Sequence, residues 1–261
     1  MSLRSILMRL MNGEIDLDTA EKEIHLWGIE RLGEVAKLDY GREMRKGLPE
    51  VVLAEWKDRE TLKTILKRVL ERSGRVVVSR VRDDQVDVVE SFSKDHVVLK
   101  SPRSRVYVIR RKDFSPPEKT GGKVGILTAG TSDIPLAEEV RLIVEEAGCE
   151  TVREYDAGIA NLKRSIDAVK TLMEEDVDVI VAIAGMEGML PSIVASLVDV
   201  LVIGLPVSVG YGLGGEGISA LYSMLQSCSP GIVAVNINNS VGAAYAAIAV
   251  ARRAAAKRRG R

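Results

Sequence analysis

The sequence predicts an α/β protein in which a parallel sheet follows a smaller α+β domain, and two patterns support this prediction. From Lys123 onward, five short apolar segments alternate with five segments of helical periodicity. Such alternation is typical of a parallel sheet covered by helices on both faces. Before residue 120 the chain is denser in charge, and four strand-like segments follow one another without a helix between them.

The charge distribution places a domain boundary near residue 120. The formal net charge of the 261 residues is zero, but residues 1–120 hold 25 basic and 21 acidic side chains, against 12 and 16 in residues 121–261. We therefore predict an N-terminal α+β domain over residues 1–120, without an assignable role, and a second domain over residues 121–261. The balanced charge argues against a nucleic-acid partner. The longest uncharged run, Gly217–Ala251, contains a proline and three asparagines and is not expected to span a membrane.

In the first domain, the periodicity of apolar residues predicts three helices, over Leu3–Leu10, Leu17–Trp27 and Arg59–Arg72. Asp16 or Asp18 is the expected N-cap of the second of these helices. Five segments are predicted as short strands. They are Val51–Ala54, Arg75–Val81, Val86–Glu90, His96–Lys100 and Arg105–Arg110.

In the second domain, five strands and five helices joined by right-handed crossovers predict a doubly wound, flavodoxin-like αβα sandwich. The last ten residues of the chain, six of them basic, are expected to be a solvated end. The predicted strands are Val124–Thr128, Glu150–Tyr155, Val177–Ala184, Val200–Pro206 and Gly231–Ile237. The predicted helices are Ile134–Ala147, Leu162–Glu174, Leu190–Val198, Ile218–Ser227 and Val241–Ala256.

The cysteine and histidine content excludes several kinds of site. Cys149 and Cys228 are too few for a disulfide framework and fit a reducing compartment, so a cytoplasmic protein is expected. Both histidines, His25 and His96, lie in the first domain. A Ser-His-Asp or Cys-His catalytic set built from the second domain alone is therefore excluded. No metal-ligand set can be recognised in the sequence.

Glycine is concentrated near the ends of the predicted parallel strands, where such sheets bind their ligands. Of 23 glycines, 17 follow residue 120, so a ligand site is expected in the second domain. After its first strand, Gly130, Ser132 and Asp133 stand at a helix start that suits a phosphate, or they form a plain N-cap. After the second strand, Asp156 holds ribose hydroxyls or occupies an ordinary turn.

Two candidates for chemistry are a carboxylate and a thiol. Glu187 is the only charged residue between Asp178 and Asp199, and it follows the third strand. It is a candidate acid or base, or a helix-terminal charge favoured by the helix dipole. Cys228, before the fifth strand, is a candidate nucleophile if dipoles or cations stabilise its thiolate, and otherwise an inert buried residue. After the fourth strand, five glycines in eight residues predict a loop that wraps a ligand.

These motifs resemble, in order and spacing over about residues 122–250, phosphoribosylaminoimidazole carboxylase of the mutase type. That family has a histidine just before its Leu-Pro pair, where this chain has Met189, and a His-Arg segment where this chain has Asp156–Arg164. The proton-shuttling histidine of the family is therefore missing. The matching segments are Ser132-Asp133, Ala184-Gly185, Leu190-Pro191, Ile203–Val207, Ser219–Gln226 and Asn239–Ala247.

At the positions where the chain departs from the mutase pattern, its residues resemble those of a sister family, the nickel-pincer nucleotide cofactor biosynthesis protein LarB. This resemblance spans nearly the whole chain, since the N-terminal half matches as well. Asn161, Lys163 and Asn238 stand where that family has Gly, His and Asp. The matching segments are Ala36–Asp39, Arg42, Arg45–Val52, Gly130–Asp133, Tyr155–Gly158, Ala184–Gly188 and the connection around Cys228.

The resemblance implies a carboxylase and hydrolase that converts nicotinic acid adenine dinucleotide, CO2 and water into pyridinium-3,5-biscarboxylate mononucleotide and AMP. For this reaction we expect Cys228 as nucleophile, Glu187 as the carboxylate that accepts a proton or positions the ring, and CO2 or bicarbonate as co-substrate. Phosphoanhydride hydrolysis favours Mg²⁺ as cofactor. The Ala-rich last helix suggests a homo-oligomer, and the related carboxylases are octamers. The implied substrate-binding residues are Gly130, Ser132, Asp133, Asp156, Gly158, Gly185, Met186, Ser208, Gly210 and Gly212.

Two alternatives stay open at the level of sequence. One is a purine-pathway carboxylase or mutase acting on an aminoimidazole ribonucleotide, a ring that needs a proton shuttle and no thiol. The presence of Cys228 and the absence of the histidine argue against it. The other is a nucleotide-binding module without catalytic activity, in which a Cys228→Ala substitution would leave ligand binding intact.

Overall fold

The computed structural model describes residues 3–27, 29–32, 36–39 and 50–260. Within these residues, the chain up to Leu99 together with Tyr107–Phe114 forms one compact unit. Lys100–Val106 and the described residues from Ser115 onward form a second unit. The domain boundary near residue 120 stays a prediction. Arg42 and residues 45–49 of the N-terminal motif lie outside the described residues.

The described residues of the first unit form four α-helices, a two-stranded ribbon and a four-stranded sheet. The sheet has the order β3-β4-β6-β5, and α3 buries its apolar face against it. Asp16, rather than Asp18, caps α2, since its Oδ1 accepts the N–H of Thr19 at 2.7 Å. The elements are α1 Leu3–Met11, α2 Leu17–Trp27, β1 Ile29–Leu32, β2 Ala36–Asp39, β3 Val51–Leu53, α3 Arg59–Ser73, β4 Arg75–Ser79, α4 Val86–Glu90, β5 His96–Lys100 and β6 Tyr107–Arg111.

One predicted strand of this unit is wrong, because Val86–Glu90 forms the short helix α4. The alternation of valine with charged residues favoured a strand, but the residue before the helix decides otherwise. Gln85 is fully buried, accepts the N–H of Arg82 at 3.0 Å and donates to the carbonyl of Ala54. These bonds close a helical turn, and Val88 and Val89 then face the core at helical spacing.

The second unit confirms the predicted doubly wound sheet. Its five parallel strands have the order β11-β10-β9-β7-β8, which is the flavodoxin order of a first strand between the second and the third. The elements are β7 Lys123–Thr128, α5 Ile134–Glu146, β8 Glu150–Glu154, α6 Leu162–Glu174, β9 Val179–Ala184, α7 Leu190–Ala195, β10 Leu201–Pro206, α8 Ile218–Leu225, β11 Ile232–Ala234 and α9 Ser240–Arg259.

The sheet is buried on both faces because its central strands are apolar throughout. All six residues of β9 are buried, as expected for a strand with helices above and below it. Helices α6, α7 and α8 pack on one face through Leu172, Val194 and Met224. Helices α5 and α9 contact each other, and α9 reaches the strands through a stripe of buried alanines. Small residues permit this close approach of a long helix to the sheet.

The prediction that the basic end of the chain is solvated is wrong for two of its arginines. Arg258 forms an ion pair with Asp178, whose side chain is only 4% exposed, and donates to the carbonyl of Gly121 at 3.0 Å. Arg259 donates to the carbonyl of Lys119 at 2.8 Å. The end of α9 therefore fastens the segment that leads into β7. Among the described residues, none of the helices has both the length and the hydropathy that a membrane crossing requires.

Candidate active site

The carboxyl ends of the parallel strands enclose a cavity of about 520 Å³, here called the site cavity. Its lining comes from the loops that follow β7, β8, β9 and β10. β8 and β9 lie on opposite sides of β7, so the winding of the chain reverses there. Open α/β sheets bind ligands at such a switch point. The site cavity is therefore the candidate active site.

The loop after β7 brings Gly130, Ser132 and Asp133 into the site cavity. Oδ2 of Asp133 accepts the N–H of Gly130 at 2.8 Å, and the hydroxyl of Ser132 lies 3.5 Å from Oδ1. Burial raises the pKa of Asp133, and the hydrogen bonds from Gly130 and Ser132 only partly oppose this. The carboxylate closes its own turn and makes no capping hydrogen bond to α5. The N–H of Ile134 donates to the carbonyl of Thr131 and Pro135 has no N–H, so the first two residues of α5 offer no donor to an anion. The hydroxyl of Ser132 is a donor that this loop brings to the site cavity.

The loop after β8 brings a carboxylate and a guanidinium into the same cavity. Asp156 adopts a left-handed backbone conformation, with φ of 59°, and its N–H donates to Oγ1 of Thr128 at 3.0 Å. Its Oδ2 accepts from Nη1 of Arg164 at 3.0 Å. A Cβ atom on Gly158 would lie 2.5 Å from the carbonyl oxygen of Ala129. Glycine is therefore required where this loop contacts the preceding one.

The loop after β9 places Gly185, Met186 and Glu187 on the cavity wall. Met186 has a φ of 50°, a conformation that non-glycine residues adopt at an energetic cost and that is concentrated at functional sites. A Cβ atom on Gly185 would lie 2.3 Å from the carbonyl oxygen of Val209. The loops after β9 and β10 therefore meet backbone to backbone, and Glu187 is exposed toward solvent at their edge.

The loop after β10 contributes Gly210 to the site cavity, but Ser208 and Gly212 are not among the lining residues. Ser208 has another partner, because its N–H donates to Oδ1 of Asn238 at 2.9 Å and its Oγ accepts from Nδ2 of Asn238 at 2.7 Å. This pair joins the loop after β10 to the loop after β11. The departure at Asn238 thus has a structural role in the chain.

Cys228 lies in a different cavity. The cysteine cavity, of about 480 Å³, is lined by Cys228 with Ser192, Tyr222 and Gln226 among others. Cys228 itself is exposed, so it is not the buried residue that the alternative interpretation expected. Met189 lines both this cavity and the site cavity, so the two are neighbours. The structure therefore brings nine of the twelve predicted site residues into one cavity and places Ser208, Gly212 and Cys228 outside its lining.

Sequence reasoning missed two lining residues with functional groups, Arg164 and Tyr211. Arg164 is the basic residue that lines the site cavity in the described part of the chain, and it lies in the first turn of α6. Its pairing with Asp156, eight residues earlier, has no signal in the local sequence pattern. Tyr211 is 82% exposed and comes from the glycine-rich loop.

No group of three or more histidine, cysteine, aspartate or glutamate side chains could hold a metal ion within residues 3–27, 29–32, 36–39 and 50–260. Mg²⁺ is often bound through one or two carboxylates together with phosphate oxygens of a substrate. Asp133 and Asp156 are carboxylates that the loops after β7 and β8 bring to the site cavity. They fit an ion that arrives with a diphosphate, and they do not form a site for a resident ion.

Comparison with known proteins decides the family. The family model described as AIR carboxylase matches residues 123–260, which is more than half of the chain. The chain belongs to the AIR carboxylase family. A second model, the LarB/PurE-like N-terminal domain, matches residues 29–111. Both halves of this AIR carboxylase family member therefore have the LarB-like architecture that the sequence motifs predict.

Relatives of this AIR carboxylase family member fall into two groups. An uncharacterized protein of Methanocaldococcus jannaschii is 42% identical over 93% of this chain and 94% of its own length. N5-carboxyaminoimidazole ribonucleotide mutases match only the second half. The mutase of Thermotoga maritima is 32% identical over 49% of this chain and 74% of its own length. That of Pyrococcus horikoshii is 33% identical over 49% of this chain and 71% of its own length.

Proposed function

We propose that this enzyme carboxylates the pyridinium ring of nicotinic acid adenine dinucleotide and hydrolyses its phosphoanhydride. The products are pyridinium-3,5-biscarboxylate mononucleotide and AMP, and the proposed location is the cytoplasm. One observation supports this proposal best. Glu187 lines the site cavity, and exposed Cys228 lines the adjoining cavity, which shares Met189 with it. The second unit contains no histidine that could shuttle a proton instead.

The thiol answers a chemical difficulty of the substrate. A pyridinium ring is an electrophile, so its C5 cannot attack CO2 directly. Addition of the Cys228 thiolate at C4 or C6 gives a neutral dihydropyridine, whose C5 is nucleophilic as in an enamine. C5 then forms a bond to the carbon of CO2. Covalent catalysis of this kind replaces one difficult step by several easier ones.

Glu187 completes the first half of the reaction. After C5 has bonded to CO2, its proton must leave, and the carboxylate of Glu187 accepts it. The electron pair of that C–H bond restores the aromatic ring and expels the thiolate of Cys228. Met189 lies at the border of the two cavities, where the pyridinium ring must sit to reach both groups.

The phosphate-binding half of the site cavity suits the rest of the dinucleotide. Ser132 offers a hydroxyl, and Arg164 offers a guanidinium that can bind a phosphate in a bidentate manner. Asp156 holds that guanidinium from the other side. A Mg²⁺ ion bound to the diphosphate would neutralise charge during attack by water.

We also propose that the enzyme is a homo-oligomer, with an octamer as the first expectation. Several large apolar side chains of the second unit are exposed, among them Leu213, Tyr222 and Leu225. Apolar side chains gathered in one part of a surface mark interaction sites. A second copy of the chain that covers them would also enclose the cysteine cavity, in which Tyr222 lies beside Cys228.

The proposed reaction can be tested with purified protein, nicotinic acid adenine dinucleotide, bicarbonate and Mg²⁺. Mass spectrometry should detect AMP and the dicarboxylated mononucleotide. Cys228→Ala should abolish both carboxylation and the covalent adduct, whereas Cys149→Ala should leave turnover near that of the wild type. Cys149 is a matched control because it is buried, 3.3 Å from Oγ1 of Thr120, and lines neither cavity. Undiminished product from Cys228→Ala would contradict the proposal.

The names of the relatives support one alternative function, an N5-carboxyaminoimidazole ribonucleotide mutase. The same protein sample should therefore be given N5-carboxyaminoimidazole ribonucleotide. We expect no carboxyaminoimidazole ribonucleotide to form, because Met189 cannot transfer a proton. Formation of that product at a rate above the uncatalysed reaction would favour the mutase.

A further inference from the structure

A buried carboxylate on α5 joins three parts of the second unit. Glu138 lies on α5 and is 7% exposed. Its Oε2 accepts from Arg141 at 2.9 Å and from Ser101 at 2.7 Å, and its Oε1 accepts from the hydroxyl of Tyr155 at 2.6 Å. Burial alone would raise the pKa of Glu138, but these hydrogen bonds outweigh it and lower the pKa to about 2. Glu138 is therefore a charged acceptor that fixes its donors in place.

The donor on one side comes from an unexpected part of the chain. Ser101 lies on Lys100–Val106, the segment that joins β5 to β6 and yet belongs to the second unit. Ser101 is 1% exposed and Val106 is fully buried. A turn closed by a bond from the N–H of Ser104 to the carbonyl of Ser101, at 3.3 Å, separates them. The segment is thus packed, and its hydroxyl is aimed at Glu138.

The donor on the other side borders the site. Tyr155 directly precedes Asp156, whose strained backbone and carboxylate hold Arg164 at the site cavity. The main chain is also fixed at this point by Thr128, which accepts the N–H groups of Asp156 and Ala157. The hydroxyl of Ser165 donates to the carbonyl of Ala157 at 2.7 Å. The side chain of Tyr155 is a further anchor at the start of the loop, and Glu138 holds it.

We propose that Ser101 is a positioning residue that acts through Glu138 and Tyr155 to hold the ligand loop after β8. This gives a role to a segment that the sequence assigned to the N-terminal domain. Without the Ser101 hydroxyl, Oε2 of Glu138 retains only Arg141, and the carboxylate can turn away from Tyr155. Arg164 then loses the fixed Asp156 that orients it. The consequence for binding rests on the proposed dinucleotide substrate.

The test compares full-length Ser101→Ala, Tyr155→Phe and the double variant with Ser79→Ala. Ser79 is a matched control because it is an equally buried serine in β4 of the first unit. We expect Ser101→Ala and Tyr155→Phe each to raise KM for the dinucleotide about tenfold, as for loss of a hydrogen bond to a charged group, with kcat within about twofold. The double variant should be no worse than about the larger single effect, since both act through one carboxylate.

A second readout does not depend on activity. Amide hydrogen exchange of peptides covering residues 155–164 should become about tenfold faster in Ser101→Ala and Tyr155→Phe, and stay unchanged in Ser79→Ala. If the wild type makes no product while exchange rises in this way, only the proposed function fails. Unchanged exchange in Ser101→Ala, a fall in kcat at constant KM, or additive effects in the double variant would each overturn the positioning role.

Discussion

At the scale of single residues, the site cavity depends on positions that accept only glycine and on residues with a left-handed backbone conformation. Gly185 and Gly158 let four loops meet in two pairs, backbone to backbone, and a methyl group at either would overlap a carbonyl oxygen. Asp156 and Met186 adopt left-handed backbone conformations beside them. Buried Asp133 and buried Glu138 have pKa values shifted in opposite directions. The loops are therefore rigid at their bases, as preorganised binding requires.

Substitution of Gly185 should test this close contact. In Gly185→Ala the new Cβ would lie 2.3 Å from the carbonyl oxygen of Val209, so the loops after β9 and β10 must separate. We expect turnover to fall at least about tenfold, as for a displacement of reacting groups by roughly 1 Å. Gly260→Ala is the control, because the nearest atom to its Cβ lies at 3.8 Å. Equal turnover in both variants would show that the contact is dispensable.

Asp133 should make the stability of the protein depend on pH with a definite sign. Burial raises the pKa of Asp133 in the folded state. The contribution of this residue to the free energy of unfolding is therefore fully present below its ordinary pKa of 3.8, and it is lost as pH rises through the pKa of the folded state. Asp133→Asn keeps an acceptor for the N–H of Gly130 without a buried charge. We expect the Tm of this variant to exceed that of the wild type by about 2 °C at pH 7.

The comparison of the two proteins by calorimetry should be repeated at lower pH. The Tm difference between Asp133→Asn and the wild type should shrink as pH falls toward 4, because Asp133 itself then becomes neutral. A variant with a lower Tm than the wild type by the same amount at every pH would contradict this assignment. In that case the carboxylate would contribute geometry rather than a buried charge.

At the scale of elements, periodicity and strand composition predict the second unit well. Apolar segments and helical periodicity predict all five of its strands and all five of its α-helices, with differences of a few residues at their ends. The errors arise where tertiary contacts decide. Buried Gln85 converts a strand-like pattern into α4, and Asp178 binds a tail that composition alone described as solvated.

The candidate site could be predicted only in part for the same physical reason. Residues on the strand ends were found, because the carboxyl edge of a parallel sheet binds ligands whatever the sequence. Arg164 was missed as a site residue because its approach to Asp156 depends on the entry angle of α6. Ser101 was missed because no local pattern shows that residues 100–106 pack with the second unit.

The end of α9 gives an element-scale prediction. Arg258→Ala removes the ion pair to Asp178 and leaves that buried carboxylate with the N–H of Lys123, at 2.8 Å, as a remaining donor. We expect the free energy of unfolding to fall by about 1 kcal/mol, since Arg258 is half exposed. Chemical denaturation measures this, with exposed Lys257→Ala as the control. Equal stability of the two variants would mean that the tail is dispensable for the fold.

At the scale of the whole molecule, exposed apolar side chains predict self-association. Leu225 on α8 and Leu17 on α2 are both 62% exposed, and Leu225 follows by one helical turn the exposed Tyr222, which lines the cysteine cavity. We expect Leu225→Glu to shift the protein to smaller species, because it would place a charge in a buried interface. Light scattering after gel filtration measures the mass. Leu17→Glu should keep the wild-type mass, and a monomeric wild type would contradict the proposal.

The central claim is that CO2 becomes bonded to the pyridinium ring of a dinucleotide on a cysteine thiolate. The most direct measurement supplies ¹³C-labelled bicarbonate with nicotinic acid adenine dinucleotide and follows both products by mass spectrometry. We predict that the mononucleotide gains one labelled carboxylate, that AMP contains no label, and that Cys228→Ala yields no labelled product. A wild-type enzyme that releases AMP together with an unlabelled, uncarboxylated mononucleotide, or labelled product from Cys228→Ala, would contradict the account.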